Sequence, residues 1–199
     1  MNSRRVLLLV PVLALTLLAA ACGSSTSTSA KTQPAVVASI ASGTGSASSY
    51  GISQQNGTAL AVAELGNGLI NLSTFDDRSD AAGGTEAMRA AISAGASVVL
   101  GPTLSPVAAS ADPIAQAAGI PVLGVTNATL DIGAIGDLIW RVSLSENAMV
   151  SASVTYVAQN KLTSSKNAVL IWEPADGYST GSAESFRAAA RVNGITITS

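Results

Sequence analysis

The sequence predicts an α/β fold built on a doubly wound parallel sheet. Three observations carry this. Short apolar, β-branched runs recur, such as Ser97-Val98-Val99-Leu100 and Ala168-Val169-Leu170-Ile171-Trp172. Between them lie stretches with apolar residues at helical spacing, such as Met88, Ala91 and Ile92. The two kinds alternate along most of the chain. Strands covered on both faces by crossover helices read as continuous apolar runs, which is the pattern seen.

Taken in order, Ala35-Val36-Val37-Ala38-Ser39-Ile40 is the first expected strand, followed by a Gly/Ser loop from Ser42 to Gly51. A helix is expected over Ile52 to Leu65, stopped by Gly66-Asn67-Gly68. Leu69 to Phe75 alternates apolar and polar and reads as a strand ending at Asp76-Asp77. Asp76, Asp77 and Asp80 read as turn formers and a helix cap. A helix over Ala81 to Ala94 closes at Gly95, and the strand Ser97 to Leu100 comes next. Ser105-Pro106 has the form of a side-chain cap followed by proline at the first helical position. Asp112-Pro113 repeats that form, so this helix is expected to kink or restart there before Gly119 ends it. Pro121 to Val125 is a strand, Thr126 to Asp137 a loop and Leu138 to Val142 a further strand. A helix after Ser145 runs to Lys161, then come the strand Ala168 to Trp172, a helix over Ala183 to Val192 and a last strand from Ile195. Right-handed crossovers align the strand C-terminal ends along one edge, where a ligand would sit.

Composition closes several functional classes. The 199 residues hold 10 Lys+Arg against 12 Asp+Glu, a net charge of −2, so no basic surplus exists to neutralise nucleic-acid phosphates. With no His, a His-based triad or His metal site is absent from this chain, and its single Cys forms no intrachain disulfide. Neither a cofactor nor a metal site is expected.

The N-terminus reads as a targeting segment. Arg4 and Arg5 precede an apolar stretch from Val6 to Ala21, interrupted by Thr16 and containing Pro11, and small residues stand directly before Cys22. This resembles the lipobox of bacterial lipoproteins, with Ala19 where that motif most often has Leu. The resemblance implies cleavage of residues 1–21, acylation of Cys22 and attachment to a membrane through the lipid. Residues 22–34 are Ser/Thr-rich and read as a tether.

Three loops converge on the expected ligand edge: Ser42 to Gly51 with Tyr50, Gly101-Pro102-Thr103-Leu104-Ser105, and Thr126-Asn127-Ala128-Thr129. They carry hydroxyls and glycines and no charge, which suits orienting a small polar ligand by hydrogen bonds. Ser105 at a helix start places its hydroxyl and the N–H groups of Val107 and Ala108 toward an anion, unless it merely caps its own helix.

From Ala35 to Ser199 the chain is similar to the type I periplasmic-binding-protein family, and within it to the substrate-binding lipoproteins of branched-chain amino acid ABC transporters. The segments that carry this stand in the family's order. They are Tyr50-Gly51, Phe75-Asp76-Asp77-Arg78-Ser79-Asp80, Leu100-Gly101-Pro102-Thr103-Leu104-Ser105, Ala118-Gly119-Ile120-Pro121-Val122, Trp140-Arg141-Val142 and Asp176-Gly177-Tyr178-Ser179-Thr180-Gly181. The resemblance implies a non-enzymatic protein whose two lobes close on a small ligand, often an amino acid, and hand it to a transporter permease. Carried over, Ser105 binds the ligand carboxylate, and Ala128 and Thr129 offer carbonyl and hydroxyl to its ammonium. Tyr50 shapes the cleft wall and Tyr178 comes from the second lobe.

Family members are much longer. The chain is therefore expected to comprise one near-complete lobe over 35–145 and part of a second over 146–199, with weak or absent ligand binding by residues 22–199 alone. A regulator or sensor of the same fold, acting for instance in cell-wall synthesis, and an inactive fragment are the alternatives. Two patterns point elsewhere. Gly177-Tyr178-Ser179-Thr180-Gly181 fits a hydrolase nucleophile elbow, and Gly43-Thr44-Gly45-Ser46-Ala47-Ser48 approaches a dinucleotide fingerprint with Asp76 after the next strand.

Overall fold

The computed structural model describes residues 33–198. The targeting segment, Cys22 and most of the tether lie outside the described residues. The chain runs β1 (Ala35–Ala41), α1 (Ser48–Leu65), β2 (Ile70–Asp76), α2 (Ala81–Ser93), β3 (Val98–Leu100), α3 (Ser105–Ala118), β4 (Val122–Gly124), a 3₁₀ turn (Leu130–Ala134), β5 (Ile139–Arg141), α4 (Glu146–Gln159), β6 (Asn167–Val169), α5 (Gly177–Val192) and β7 (Thr196–Thr198).

The first five strands form one parallel sheet in the order β2-β1-β3-β4-β5. The order reverses at β1: the chain steps to one side for β2 and returns past β1 for β3. With right-handed crossovers, α1 then covers one face and α2 and α3 the other. The crevice beyond the C-terminal ends of β1 and β3 is the topological switch point, where ligands bind in open α/β sheets. The core holds Ala38 and Ile40 of β1, Met88 and Ala91 of α2, Ala108, Ala111 and Ala115 of α3, and Val99, Val122 and Ile139 of the sheet. So many alanines let α2 and α3 pack closely together. The last two strands pair separately, β6 with β7, also in parallel.

The structure corrects several local expectations. α1 begins at Ser48, so Tyr50 sits in its first turn rather than in a loop. Asp80 caps α2, accepting from the Gly83 N–H at 2.6 Å. α3 is one continuous helix through Pro113, with Leu104 and not Ser105 at its N-cap. Asp112 is fully buried, and among the described residues neither carboxyl oxygen has a hydrogen-bond partner. Burial pushes this carboxyl up to about 7. β6 stops at Val169, and Ile171 is 91% exposed. α5 starts six residues before the expected Ala183, capped by Asp176, whose oxygens accept from the Tyr178 and Ser179 N–H groups.

These boundaries dispose of both rival patterns. Gly177 to Gly181 lie inside α5, not on a strand-to-helix elbow, and the Ser179 hydroxyl accepts from the Glu173 N–H. The Gly43–Ser48 segment spends its donors on Asp76: the Thr44 N–H and hydroxyl donate to that carboxylate at 3.1 and 2.7 Å. Partial burial acts upward on Asp76, but hydrogen bonds from Thr44 and from the N–H groups of Arg78 and Gly43 hold it below the usual range. A phosphate in this loop would meet a carboxylate.

Candidate functional site

A buried polar network fixes the loops at the switch point. Asp77, just past β2, is fully buried. Its oxygens accept from the Ser42 hydroxyl at 2.6 Å, the Ser79 N–H at 2.9 Å and the Thr103 N–H at 3.3 Å. The Ser42 N–H donates to the Thr103 hydroxyl oxygen, and that hydroxyl donates to Gln54 of α1. One side chain thus ties together the segments beyond β1, β2 and β3. At Gly101 the backbone has φ 111° and passes so close to the Ile40 carbonyl that a Cβ would collide with it. Only glycine allows the β3 loop to lie against β1 in this way.

The next loop is tied on in turn. The Thr126 hydroxyl donates to the Thr103 carbonyl at 2.5 Å. The Ser105 hydroxyl oxygen accepts from the N–H groups of Ala128 at 3.0 Å and Thr129 at 3.4 Å. Ser105 is therefore a clamp between α3 and the β4 loop, and among the described residues its hydroxyl proton meets no acceptor. Fewer backbone donors accompany it than expected. The Ala108 N–H bonds to the Leu104 carbonyl, and Pro106 has none, which leaves Val107.

Ala128 differs from its expected role, since its carbonyl is already occupied. The Ala128 carbonyl already accepts from the Glu146 N–H at 2.9 Å and from Arg141 Nη1 at 3.0 Å, and the same nitrogen donates to the Thr129 carbonyl at 2.9 Å. Ala128 is 4% exposed. Both carbonyls thus hold Arg141, and the Ala128 carbonyl also anchors the first residue of α4 to the β4 loop. Thr126, three residues nearer the strand end than Thr129, is the threonine that lines the cavity with Tyr50 and Tyr178.

That cavity holds about 560 Å³. It brings together Tyr50, Ser105, Ala128 and Tyr178 of the expected set, with Thr103, Thr126 and Ser143 as further hydroxyls and Leu104, Pro106 and Met149 as apolar wall. Thr129 lines instead an adjacent cavity that shares Ser105, Pro106 and Tyr178 with the first. Tyr50 is 68% exposed and Tyr178 41%, so both rings are open to contact. Asp176 is the one charged residue of the first cavity, and its oxygens cap α5. Apart from Asp176, whose oxygens are held by α5, the lining is uncharged and rich in donors, and at a helix start this suits a small anion, because the helix dipole and the O–H and N–H groups compensate negative charge without a counter-ion. The position of Thr126 directly after β4 was the available clue to it, since the first residues beyond a parallel strand face this crevice. Glu146 was not among the sequence candidates. It stands in the first turn of α4 with Ser145 as its cap.

The shape is shared with solved solute-binding proteins. LivJ, the branched-chain amino acid transporter substrate binding protein of Streptococcus pneumoniae solved with isoleucine, matches with TM-score 0.73 at 24% identity, over 79% of this chain and 47% of that one. The leucine binding protein LivK of Thermotoga maritima matches with TM-score 0.74 at 19% identity, over 82% and 47%. A solute binding protein of an ABC transporter from Rhodopseudomonas palustris, solved with 3,4-dihydroxybenzoic acid, matches with TM-score 0.76 at 20% identity, over 83% and 46%. The chain spans about half the length of each of these structures. No curated protein matches it. A family model described as periplasmic binding protein matches residues 34–199, nearly everything beyond the tether, and on this the chain belongs to the periplasmic binding protein family.

Proposed function

We propose that this protein is an exported solute-binding lipoprotein that captures a small carboxylate-bearing ligand, an amino acid or a relative, for an ABC importer. The observation that carries the reading is the cavity at the switch point, where Ser105, Thr126, Tyr50 and Tyr178 surround the start of α3 without a fixed counter-charge. Isoleucine and 3,4-dihydroxybenzoic acid, held by two of the similar proteins, have a carboxylate in common. In this reading the carboxylate takes the Ser105 proton and the Val107 N–H. Tyr50 and Tyr178 face the remainder of the ligand from the two lobes. Hydrogen bonds to a charged carboxylate contribute about 1.5–3 kcal/mol each, enough to orient a ligand. Capture and release suffice as function for a site of this composition.

Cys22 is proposed as the lipid attachment site, with residues 22–34 as the tether and a permease as the partner that receives the ligand. Cys22→Ala moves the protein from the membrane to the soluble fraction if this is right. The ligand reading is tested by thermal unfolding against a panel of amino acids and aromatic acids at millimolar concentration. A ligand at a hundredfold excess over Kd stabilises by about 2.7 kcal/mol. For a chain spanning about half of the similar structures a weak but saturable shift is the expected result, and unfolding that no acid of the panel shifts contradicts the proposal.

A further inference from the structure

We propose that the ligand is a carboxylic acid with a cationic side chain, of the lysine or arginine class; this rests on the solute-binding reading above. The observations come from the second cavity, of about 470 Å³, which adjoins the first across Ser105, Pro106 and Tyr178. Its titratable lining, besides Tyr178, is Asp131, Glu146 and Glu184, and among the described residues no Lys or Arg lines it.

Glu146 is 3% exposed. Its Oε2 receives one long hydrogen bond, from the Ser182 hydroxyl at 3.4 Å. Among the described residues its Oε1 receives none, and it lies so close to Gly181, also in the cavity wall, that a Cβ there would collide with it. Burial pushes the Glu146 carboxyl up. Ser182 opposes this, the charge of Asp131 adds to it, Arg141 opposes it and Asp176 adds again. Among the described residues Arg141 makes no ion pair with Glu146, and its Nη1 donates to the carbonyls of Ala128 and Thr129.

A carboxylate largely withdrawn from water that turns one oxygen to a cavity offers an organic cation a charged acceptor there. The described carboxylates form no group that could hold a metal ion. The carboxylate end of such a ligand sits at Ser105, which both cavities share, and its ammonium or guanidinium crosses beside Tyr178 to Glu146, with Asp131 and Glu184 adding attraction.

The test compares L-lysine with L-norleucine, which differ only in the terminal ammonium, by calorimetric titration of the intact chain, alongside L-leucine and 4-hydroxybenzoate. Lysine is expected to bind about tenfold more tightly than norleucine, the value of one hydrogen bond to a charged group. Glu146→Gln is expected to bring the ratio near one. Should Glu146→Gln not fold, Glu184→Gln, at an exposed position, is expected to lower the ratio in the same direction. Norleucine binding as tightly as lysine overturns this inference and leaves the solute-binding reading standing. A ratio unmoved by either variant also overturns it. Absence of binding by all four compounds overturns both.

Discussion

The two sheets of this chain are built from similar strand–helix units and end in different states. In the five-stranded sheet β1 is central and its last four residues are fully buried. Every residue of the main hydrophobic cluster lies in this region. In the two-stranded sheet both β6 and β7 alternate exposed and half-buried residues, and the buried apolar residues there are Val154, Ala183, Ala189 and Ala190. Val169, Ile171 and Val192 stand 69%, 91% and 85% exposed. The local chemistry of the two regions is alike: capped helices and β-branched strands occur in both. What differs is how many strands stand beside each strand, because a helix can only cover apolar surface that a sheet presents. Two strands alone are marginal in water, and three or more with a covered face are needed for independent stability.

Substitutions at matched positions sharpen this contrast. Ile40→Ala in β1 is expected to cost about 2–5 kcal/mol in urea unfolding, whereas Val169→Ala in β6 is expected to stay within about 0.5 kcal/mol. Equal costs would break the comparison.

The next largest effect is pH-dependent and belongs to the five-stranded region. The Asp112 carboxyl ionises near 7 when folded, against 3.8 for an unperturbed group. Its folded value is raised, so the associated stability is fully present below about pH 4 and is lost as pH rises toward and through 7. Unfolding free energies from urea titration are therefore expected to fall between pH 4.5 and 8, by an amount on the order of a few kcal/mol. Asp112→Asn removes this slope and is expected to be the more stable protein at pH 8. A wild-type slope retained in the variant would assign the effect to other groups.

Helix caps test the smaller scale, where the two regions are expected to agree. Asp80→Ala at α2 is expected to cost about 1 kcal/mol. Ser145→Ala at α4, whose cap bond to the Ala148 N–H is longer at 3.3 Å, is expected to cost about 0.5 kcal/mol by the same measurement.

The order of strands and helices was legible in the sequence because apolar period and Gly stops report local structure directly. Two helix starts were not. Ser48 to Gly51 and Gly177 to Ser182 are rich in Ser and Gly, poor helix formers, and tertiary packing overrides that preference. The site was half legible. Ser105, Tyr50 and Tyr178 meet at the cavity, since strand-end loops in a parallel sheet converge on one edge. The role of Ala128 was hidden. Its carbonyl is taken by Arg141, thirteen residues away, a pairing that no local pattern reveals. Ser105 looked like a helix cap for the same reason: its partners lie 23 and 24 residues away. The buried Asp112 was misread because Asp before Pro is a common helix start, and burial is a property of the whole fold.

The place of binding can be read from amide chemical shifts of the ¹⁵N-labelled chain during titration with L-lysine or L-leucine. Saturable shifts are expected, centred on Leu104, Ser105, Val107 and Thr126 to Thr129, with Tyr50 and Tyr178 moving together. Saturable shifts confined to β2 and α2, away from the switch point, would contradict this placement.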